Sequence, residues 1–295
     1  MMSLPYWLRA GLVVALWGTL HTPTWAQAVA TLTMKMGTAT VIQGASRVAA
    51  VEGMRLSAED IIETGDSTAL VRLEMDNQMV IDLGPSAKLV LQPKWPGGVV
   101  AGGYLLQGWV KATPSTKEMS ARPLLITPFV ELLTGPGEVV VHSNPQQTEV
   151  FSPAAQAKLL WRAKQNQKLQ VDKGHYVALK ASGTLPAAGR PESSFIQSVP
   201  RPFMDTLPRR MDKFAGKKIA LAAPSVPTYA DLQPWLLSEP KLRARWPARW
   251  QSLLQDPAFK AAIVKQLPQH AEWKPWVAPP SSAHPSTPPY TDTQP

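Results

Sequence analysis

The sequence predicts a mainly β chain, an antiparallel β-sandwich or roll followed by a small α-helical C-terminal module. Three observations carry that prediction. From residue 29 to about residue 198, short apolar runs alternate with polar positions and are separated by Gly, Pro, Asn or Asp, the rhythm of antiparallel strands. From about residue 200 to residue 276 the apolar spacing lengthens to that of a helix. The charge changes at the same place: residues 29–200 carry 16 basic and 14 acidic groups, whereas residues 201–276 carry 13 and 6. With 44% hydrophobic and 17% charged residues among 295, the chain has the apolar material for a core and too little charge for wholesale disorder.

Residues 1–28 read as a secretory signal peptide. A short stretch with one positive charge, Arg9, precedes the apolar run Ala10–Leu20, which is shorter than the ~20 residues that span a bilayer. Ala26-Gln27-Ala28 then supplies small residues where a signal peptidase needs them. The expectation is a chain exported to the periplasm, or on to the extracellular space, with no membrane span after signal cleavage. Export argues against a nucleic-acid partner in spite of the net charge of +9. The absence of cysteine removes disulfides, zinc fingers, thiolate clusters and a cysteine nucleophile.

The elements follow in order. Leu70–Met75 alternates, with Ala69, Val71, Leu73 and Met75 on one face and Leu70, Arg72 and Glu74 on the other. Asp76-Asn77 is the expected hairpin turn, Asn taking the positive φ, and Gln78–Leu83 the returning strand. Gly84-Pro85-Ser86 turns the chain into Ala87–Leu91, and further strands are expected over Tyr104–Val110, Leu124–Leu133, Glu138–Val141, Lys158–Trp161, Lys168–Val171 and His175–Lys180. Residues 199–227 read as a linker. In the basic, Trp-rich module 228–276, Thr228 and Asp231 cap a helix running to Leu237, and Ser238-Glu239-Pro240 opens a second one. Leu242, Trp246, Trp250 and Leu253 form its apolar stripe, which Pro247 should split. Asp256-Pro257 starts a third helix carrying Phe259, Ile263 and Leu267, and Pro268 stops it. Residues 277–295, rich in Pro, Ser and Thr, are expected to be disordered.

The search for chemistry yields little. The histidines beyond the signal, His142, His175, His270 and His284, show none of the paired spacings of metal sites, so no metal and no cofactor is predicted. There is no G-x-S-x-G elbow and no phosphate-binding glycine loop. Glu59, Asp60, Glu63 and Asp66 form an acidic cluster of the kind that serves glycosidases or Ca²⁺. Strand and turn geometry instead makes Glu59 and Glu63 solvated edge charges and Asp60 a turn residue. No catalytic residue is assigned, and the chain is not expected to be an enzyme. Five tryptophans fall between Trp235 and Trp276 beside Lys241, Arg243, Arg245 and Arg249, a mixture that can stack on sugars or attract acidic groups. Trp246 and Trp250 lie on the core stripe. Arg243 and Arg249 are placed on the solvated face, and Trp273 and Trp276, off the helical period, at the surface. Those four are the candidate contacts to a partner or glycan.

The stretch from Gly53 to Leu91 resembles the FecR family. The matching residues are Gly53, Leu56, Asp60-Ile61-Ile62-Glu63-Thr64-Gly65, Ala69-Leu70-Val71-Arg72-Leu73, the Asp76 turn, Val80, Leu83-Gly84-Pro85-Ser86 and Leu89-Val90-Leu91. Downstream, Leu106-Gln107-Gly108-Trp109-Val110, Ile126-Thr127-Pro128 and Lys173-Gly174-His175 look like later steps of the same pattern. Two places depart from it: Thr134-Gly135-Pro136-Gly137 stands where a Gly-Thr-x-Phe step is usual, and Asn77 where Gly is usual. The resemblance implies a β-rich, extracytoplasmic, non-enzymatic contact domain. In the best-known members that domain relays a receptor signal across the membrane to a sigma factor, but this sequence shows neither the helix nor the cytoplasmic segment the relay requires. The leading expectation is therefore an exported binding or scaffold module of the bacterial cell envelope, whose partner is an envelope protein or cell-wall glycan. One alternative is an accessory in transmembrane signalling that docks on a receptor or an anti-sigma-type regulator. The other is a cell-wall glycan-binding protein acting through the Trp/Arg-rich module.

Overall fold

The computed structural model describes residues 27–94, 100–114, 123–133, 137–154, 156–181, 183 and 189–277. The signal segment up to residue 26, the 134–136 step and the tail from residue 278 lie outside the described residues.

Two β-sheets share one strand. The first half of the chain supplies β1 (Ala28–Met36), β2 (Ala39–Gln43), β3 (Ser46–Ala49), β4 (Arg55–Ser57), β5 (Ile61–Thr64), β6 (Leu70–Met75), β7 (Val80–Leu83) and β8 (Lys88–Leu91). The long β9 (Gly103–Thr113) follows, then β10 (Pro123–Ile126), β11 (Val130–Leu133), β12 (Val139–Ser143), β13 (Gln147–Ser152), β14 (Ala157–Trp161), β15 (Gln167–Val171) and β16 (His175–Lys180). The first sheet runs β4-β1-β6-β7-β9-β12-β13-β16, and the second runs β3-β2-β5-β8-β9-β10-β11-β14-β15. Pairing is antiparallel except between β9 and β10. The chain is thus mainly β with its helices at the C-terminus, as the periodicity predicts.

β9 serves both sheets because it bends at Gly108. Residues before the bend pair with β8 and β10, and residues from the bend onward pair with β7 and β12. Gly108 has φ +90°, and a Cβ there would sit 2.4 Å from the Ala87 Cα, so glycine alone makes this turn without displacing backbone. Between the sheets lies the main core, including Leu32, Val41, Ile62, Leu73, Leu89, Leu105, Val110 and Trp161.

Several local expectations are corrected. In the β6–β7 hairpin the positive φ belongs to Gln78 (+70°), while the Asn77 side chain accepts from the Met79 N–H at 3.1 Å. The turn uses Asn77 as an acceptor, a role Asn performs as readily as it tolerates αL. The run Leu124–Leu133 is two strands, folded back where Thr127 Oγ1 accepts from the N–H groups of Phe129 and Val130. β1 to β5 and β13 have no counterpart among the individually predicted strands; β13 opens with three polar residues, Gln147, Thr148 and Glu149.

Residues 199–227, read from the sequence as a linker, lie along the sandwich. Helix α1 (Ser193–Ser198) and the segment after it place Phe195, Val199 and Phe203 on the outer face of the first sheet, against Leu70, Trp109, Val140 and Phe151. The chain then passes the edge of the sandwich, where Ser225 bridges Arg47 of β3 with two backbone hydrogen bonds of 2.8 Å. On the second sheet's outer face it forms α2 (Tyr229–Leu236), α3 (Pro240–Arg243), α4 (Trp246–Trp250), α5 (Pro257–Lys265) and α6 (Lys274–Val277). Thr228 and Asp231 make the capping box of α2, and Asp256 caps α5 through the Ala258 N–H. Leu232, Trp235, Leu242, Trp246, Trp250 and Phe259 pack on Ile42, Ile61, Val90, Tyr104 and Ile126. Both outer faces carry large apolar side chains, Leu70, Trp109 and Phe151 on the first sheet and Ile61 and Tyr104 on the second, which a polar linker would have left wet.

A row of charge fixes this arrangement. On the first sheet Arg72, Asp82 and Lys111 stand side by side in register on β6, β7 and β9, each under 6% exposed. Arg72 meets Asp82 in a bidentate pair at 2.7 and 2.8 Å, and Lys111 lies 3.9 Å from the same carboxylate. The remaining donors reach the backbone of the covering segment: Arg72 to the Leu207 carbonyl at 2.9 Å, and Lys111 to the Phe203 carbonyl at 2.8 Å. Glu74, fully buried, takes the Thr33 hydroxyl at 2.7 Å and the N–H groups of Arg210 and Met211 at 2.7 and 3.2 Å. Burial works against the Arg72 charge, and the Asp82 hydrogen bonds outweigh it, raising the Arg72 pKa above its ordinary value. Removing one partner of such a pair strands the other, so Asp82→Asn should destabilise the fold by about 3–5 kcal/mol, read as a lower urea midpoint.

Candidate functional site

The four surface candidates separate. Trp273 is fully buried, packed edge-on against Phe259 with ring centroids 6.0 Å apart. The residue leaves the α5 period only because the chain turns after Leu267 and a 3-10 turn at Ala271–Trp273 aims it back into the module. Arg249 does not face solvent either. Its guanidinium donates to the backbone carbonyls of Ile42 in β2 (3.0 Å) and of Gly44 (3.3 Å) and Glu59 in turns of the second sheet. Burial lowers the Arg249 pKa, against the opposing pull of Asp60 and Glu59. Arg243 is half-exposed and pairs with Glu272 at 3.5 Å. Trp276 alone is open, 40% exposed. The core assignment of the stripe holds: Trp246 and Trp250 stack at 4.6 Å, and their indole N–H groups reach the carbonyls of Trp235 and Gly44.

The acidic cluster is likewise structural. Glu63 is not a solvated edge charge: it accepts from Trp235 Nε1 at 2.8 Å and Lys88 Nζ at 3.0 Å. Glu59 is the partner of Arg245. Asp60 takes the Ser57 N–H at 2.9 Å and the Gln43 side chain at 2.7 Å, and burial raises its pKa. Asp66 accepts from Ser86 at 2.6 Å. Each carboxylate is thus occupied by its own donors, and among the described residues no three acidic or histidine side chains gather as a metal ion would require.

Several recesses among the described residues can admit another molecule, and two of them lie beside the first sheet. At the end of the first sheet, Trp109 of β9 and His142 of β12 stack at 4.3 Å, 13° from parallel. They wall a recess of about 230 Å³ with Pro85, Ser86, Gln107, Ser143, Asn144 and Pro145. Behind them Glu149 of β13 bridges His142 Nδ1 (2.7 Å) and the Tyr176 hydroxyl (2.6 Å). Burial would raise the Glu149 pKa, but the bonds to His142 and Tyr176 prevail and hold it below the ordinary carboxyl value. Tyr176 is pushed up, first by burial and then by that bond. His142 stacks on one face of the Trp109 indole, and the Phe195 ring lies 5.7 Å away, tilted by 41°.

The second place is a groove at the β4 edge of the first sheet. A cleft of about 570 Å³ lies between β4 and Lys217–Leu221, lined by Gln27, Ala28, Gln43, Gly53, Met54, Arg55, Ser57, Lys217, Ile219 and Leu221. A second cleft of about 300 Å³ shares Gly53, Arg55 and Lys217 and continues toward Met211 and Phe214. Gly53 lets the covering chain close in, since a Cβ there would lie 2.6 Å from the Ile219 side chain. Met54 is buried, Leu221 is 48% exposed, and Arg55 and Lys217 stand at the rim. Apart from Gly53, in the FecR-like pattern, and Gln27 and Ala28, in the cleavage signal, none of the lining residues was singled out by the sequence. The signal available was Ile219 and Leu221 following Lys217-Lys218 inside a stretch read as linker.

No protein-family model and no curated protein matches the chain, so membership of the FecR family remains a resemblance carried by residues of β4 to β9. Among solved structures, one similar chain is described as a "putative anti-sigma factor" from Parabacteroides distasonis, with 6% sequence identity and a TM-score of 0.37. The match covers 46% of this chain and 62% of that one, less than two thirds of its length. No helix among the described residues is long and apolar enough to cross a membrane.

Two stability measurements check these assignments. Arg249→Ala leaves several backbone carbonyls without their donor and should cost about 2–4 kcal/mol, while Trp276→Ala should stay within about 1 kcal/mol of the parent in urea unfolding. The Glu149 carboxyl is held lower folded than unfolded. Its contribution is therefore complete above the unfolded pKa and lost as the pH falls through the folded one. The stability gap between the parent and Glu149→Gln should be widest near neutrality and should close under acidic conditions, below the ordinary carboxyl range.

Proposed function

We propose that the protein is an exported, non-enzymatic binding module of the bacterial cell envelope that docks an envelope protein in the groove beside β4. The groove is the observation that supports this reading. The chain covers both outer sheet faces with its own C-terminal third, yet leaves an apolar-floored, cation-rimmed channel open at one sheet edge. The interior charges support it as well, because they are tied to each other or to backbone groups. The signal-like segment 1–28 and the resemblance to an extracytoplasmic contact domain argue for the envelope. Docking on a receptor or anti-sigma-type regulator is one form this function takes. Wall-glycan binding is the weaker reading, since Trp273 and Arg249 face inward and Trp276 is left alone.

The test is site-specific photocrosslinking in cells that export the chain. A photoreactive residue at Leu221 should yield an adduct with an envelope protein, whereas the same residue at Val264, comparably exposed on α5, should not. The chain should be recovered from the periplasm without residues 1–28. Retention in the cytoplasm, or equal labelling from both positions, would reject the proposal.

A further inference from the structure

We infer that the covering segment from Arg201 to Lys218 rests on a leaflet of anionic phospholipid and holds the exported chain against a membrane. The inference goes beyond the docking reading and does not depend on what enters the groove. No helix among the described residues is long and apolar enough to cross a bilayer, so the association is peripheral. The surplus charge of the chain has a location. Residues 29–200 carry 16 basic and 14 acidic groups. The 18 residues from Arg201 to Lys218 carry six basic groups, Arg201, Arg209, Arg210, Lys213, Lys217 and Lys218, against Asp205 and Asp212. The sheet beneath does not offset them. Its buried row sets Arg72 and Lys111 beside Asp82 and Glu74, two cations and two carboxylates satisfied by one another, by Thr33 and by the main chain of the segment.

The segment is fastened through its backbone, so its cationic side chains are not spent on holding it. The Phe203 and Leu207 carbonyls accept from Lys111 and Arg72, and the Arg210 and Met211 N–H groups donate to Glu74. Among the described residues none of the six cations has a carboxylate partner; Arg209 gives one N–H to the Gln78 carbonyl. Five of the six are exposed, and Arg210 is half-buried. The helical module treats its arginines in the opposite way, pairing Arg243 and Arg245 with Glu272 and Glu59 and setting Arg249 on carbonyls. Two exposed methionines stand with the basic run. Met204, 54% exposed, follows the anchor Phe203. Met36, 50% exposed, is the cross-strand partner of Leu70 and so shares the outer face that the segment covers. A bilayer surface of anionic headgroups answers both features. It attracts charges of one sign without requiring a matching pattern of groups, and each Lys or Arg that reaches it tightens association about fivefold. Flexible apolar side chains such as Met enter the boundary between headgroups and acyl chains.

The test is flotation of the chain recovered from the periplasm, free of the apolar segment 1–28, with phosphatidylcholine vesicles made with and without phosphatidylglycerol. The chain should bind only the vesicles that contain phosphatidylglycerol, and less tightly as salt rises. Lys213→Gln, Lys217→Gln and Lys218→Gln combined should weaken binding about a hundredfold. Lys260→Gln, Lys265→Gln and Lys274→Gln combined remove the same charge from exposed positions of the helical module, on the opposite outer face. That set should change binding by less than about threefold. Met204→Ser should weaken it about fivefold. All seven positions are exposed, so the variants should keep the parental circular dichroism. Equal loss from the two lysine sets would reduce the effect to net charge and overturn the assignment. So would binding indifferent to phosphatidylglycerol, or crosslinking of the segment to an acidic envelope protein without any vesicle binding. An adduct at Leu221 with no vesicle binding removes the lipid inference and leaves the docking reading; vesicle binding with no adduct does the reverse.

Discussion

The buried pair of Arg72 and Asp82 is the constraint on which the architecture turns. Charges under a few per cent exposed are tolerable only when every donor and acceptor has a partner. On the first sheet, part of that partnership comes from carbonyl and amide groups more than 90 residues away, between Phe203 and Met211. The sheet and its covering segment are therefore one unit, since the sheet surface is unsatisfied without it. The covering segment is held chiefly by its backbone, with Phe203 as the apolar anchor, so its side chains between Asp205 and Arg210 are free to be basic.

The second sheet uses the same device in reverse. There the covering module supplies the cation: Arg249 and the indoles of Trp235 and Trp250 reach down to main-chain carbonyls and to Glu63. The two outer layers are thus fastened by polar groups aimed at main-chain atoms and then sealed by aromatic packing. Gly108 underlies both, because the strand it bends carries Tyr104 to one outer face and Trp109 and Lys111 to the other.

The legible part of the sequence was the part written in local chemistry. The Thr228–Asp231 capping box, the Asp256 cap, the break at Pro247 and the Leu242–Trp246–Trp250 stripe depend on neighbours within a few residues, and the structure contains each. Alternation in Leu70–Met75 located β6 but said nothing about the second burial of Leu70, Arg72 and Glu74, because period two reports faces and not what covers them. Arg249 and Trp273 were misplaced for a related reason. The targets of Arg249 are carbonyls, which every residue possesses, and Trp273 is aimed by a turn that breaks the helical period. The groove was invisible because it is formed by residues near 54 and near 219, which no local pattern connects.

The closing of both outer faces by the last third of the chain gives folding a direction in time. A ribosome adding about 5–20 residues per second completes the sandwich strands on the order of ten seconds before α5 and α6 exist. Leu70 and Trp109 on one face gain their cover as soon as Phe195 to Phe203 follow, but Ile61 and Tyr104 on the other stay bare until the helices are made. The native state is therefore reachable only after the covering helices have been made. What stabilises the finished molecule is also what delays it.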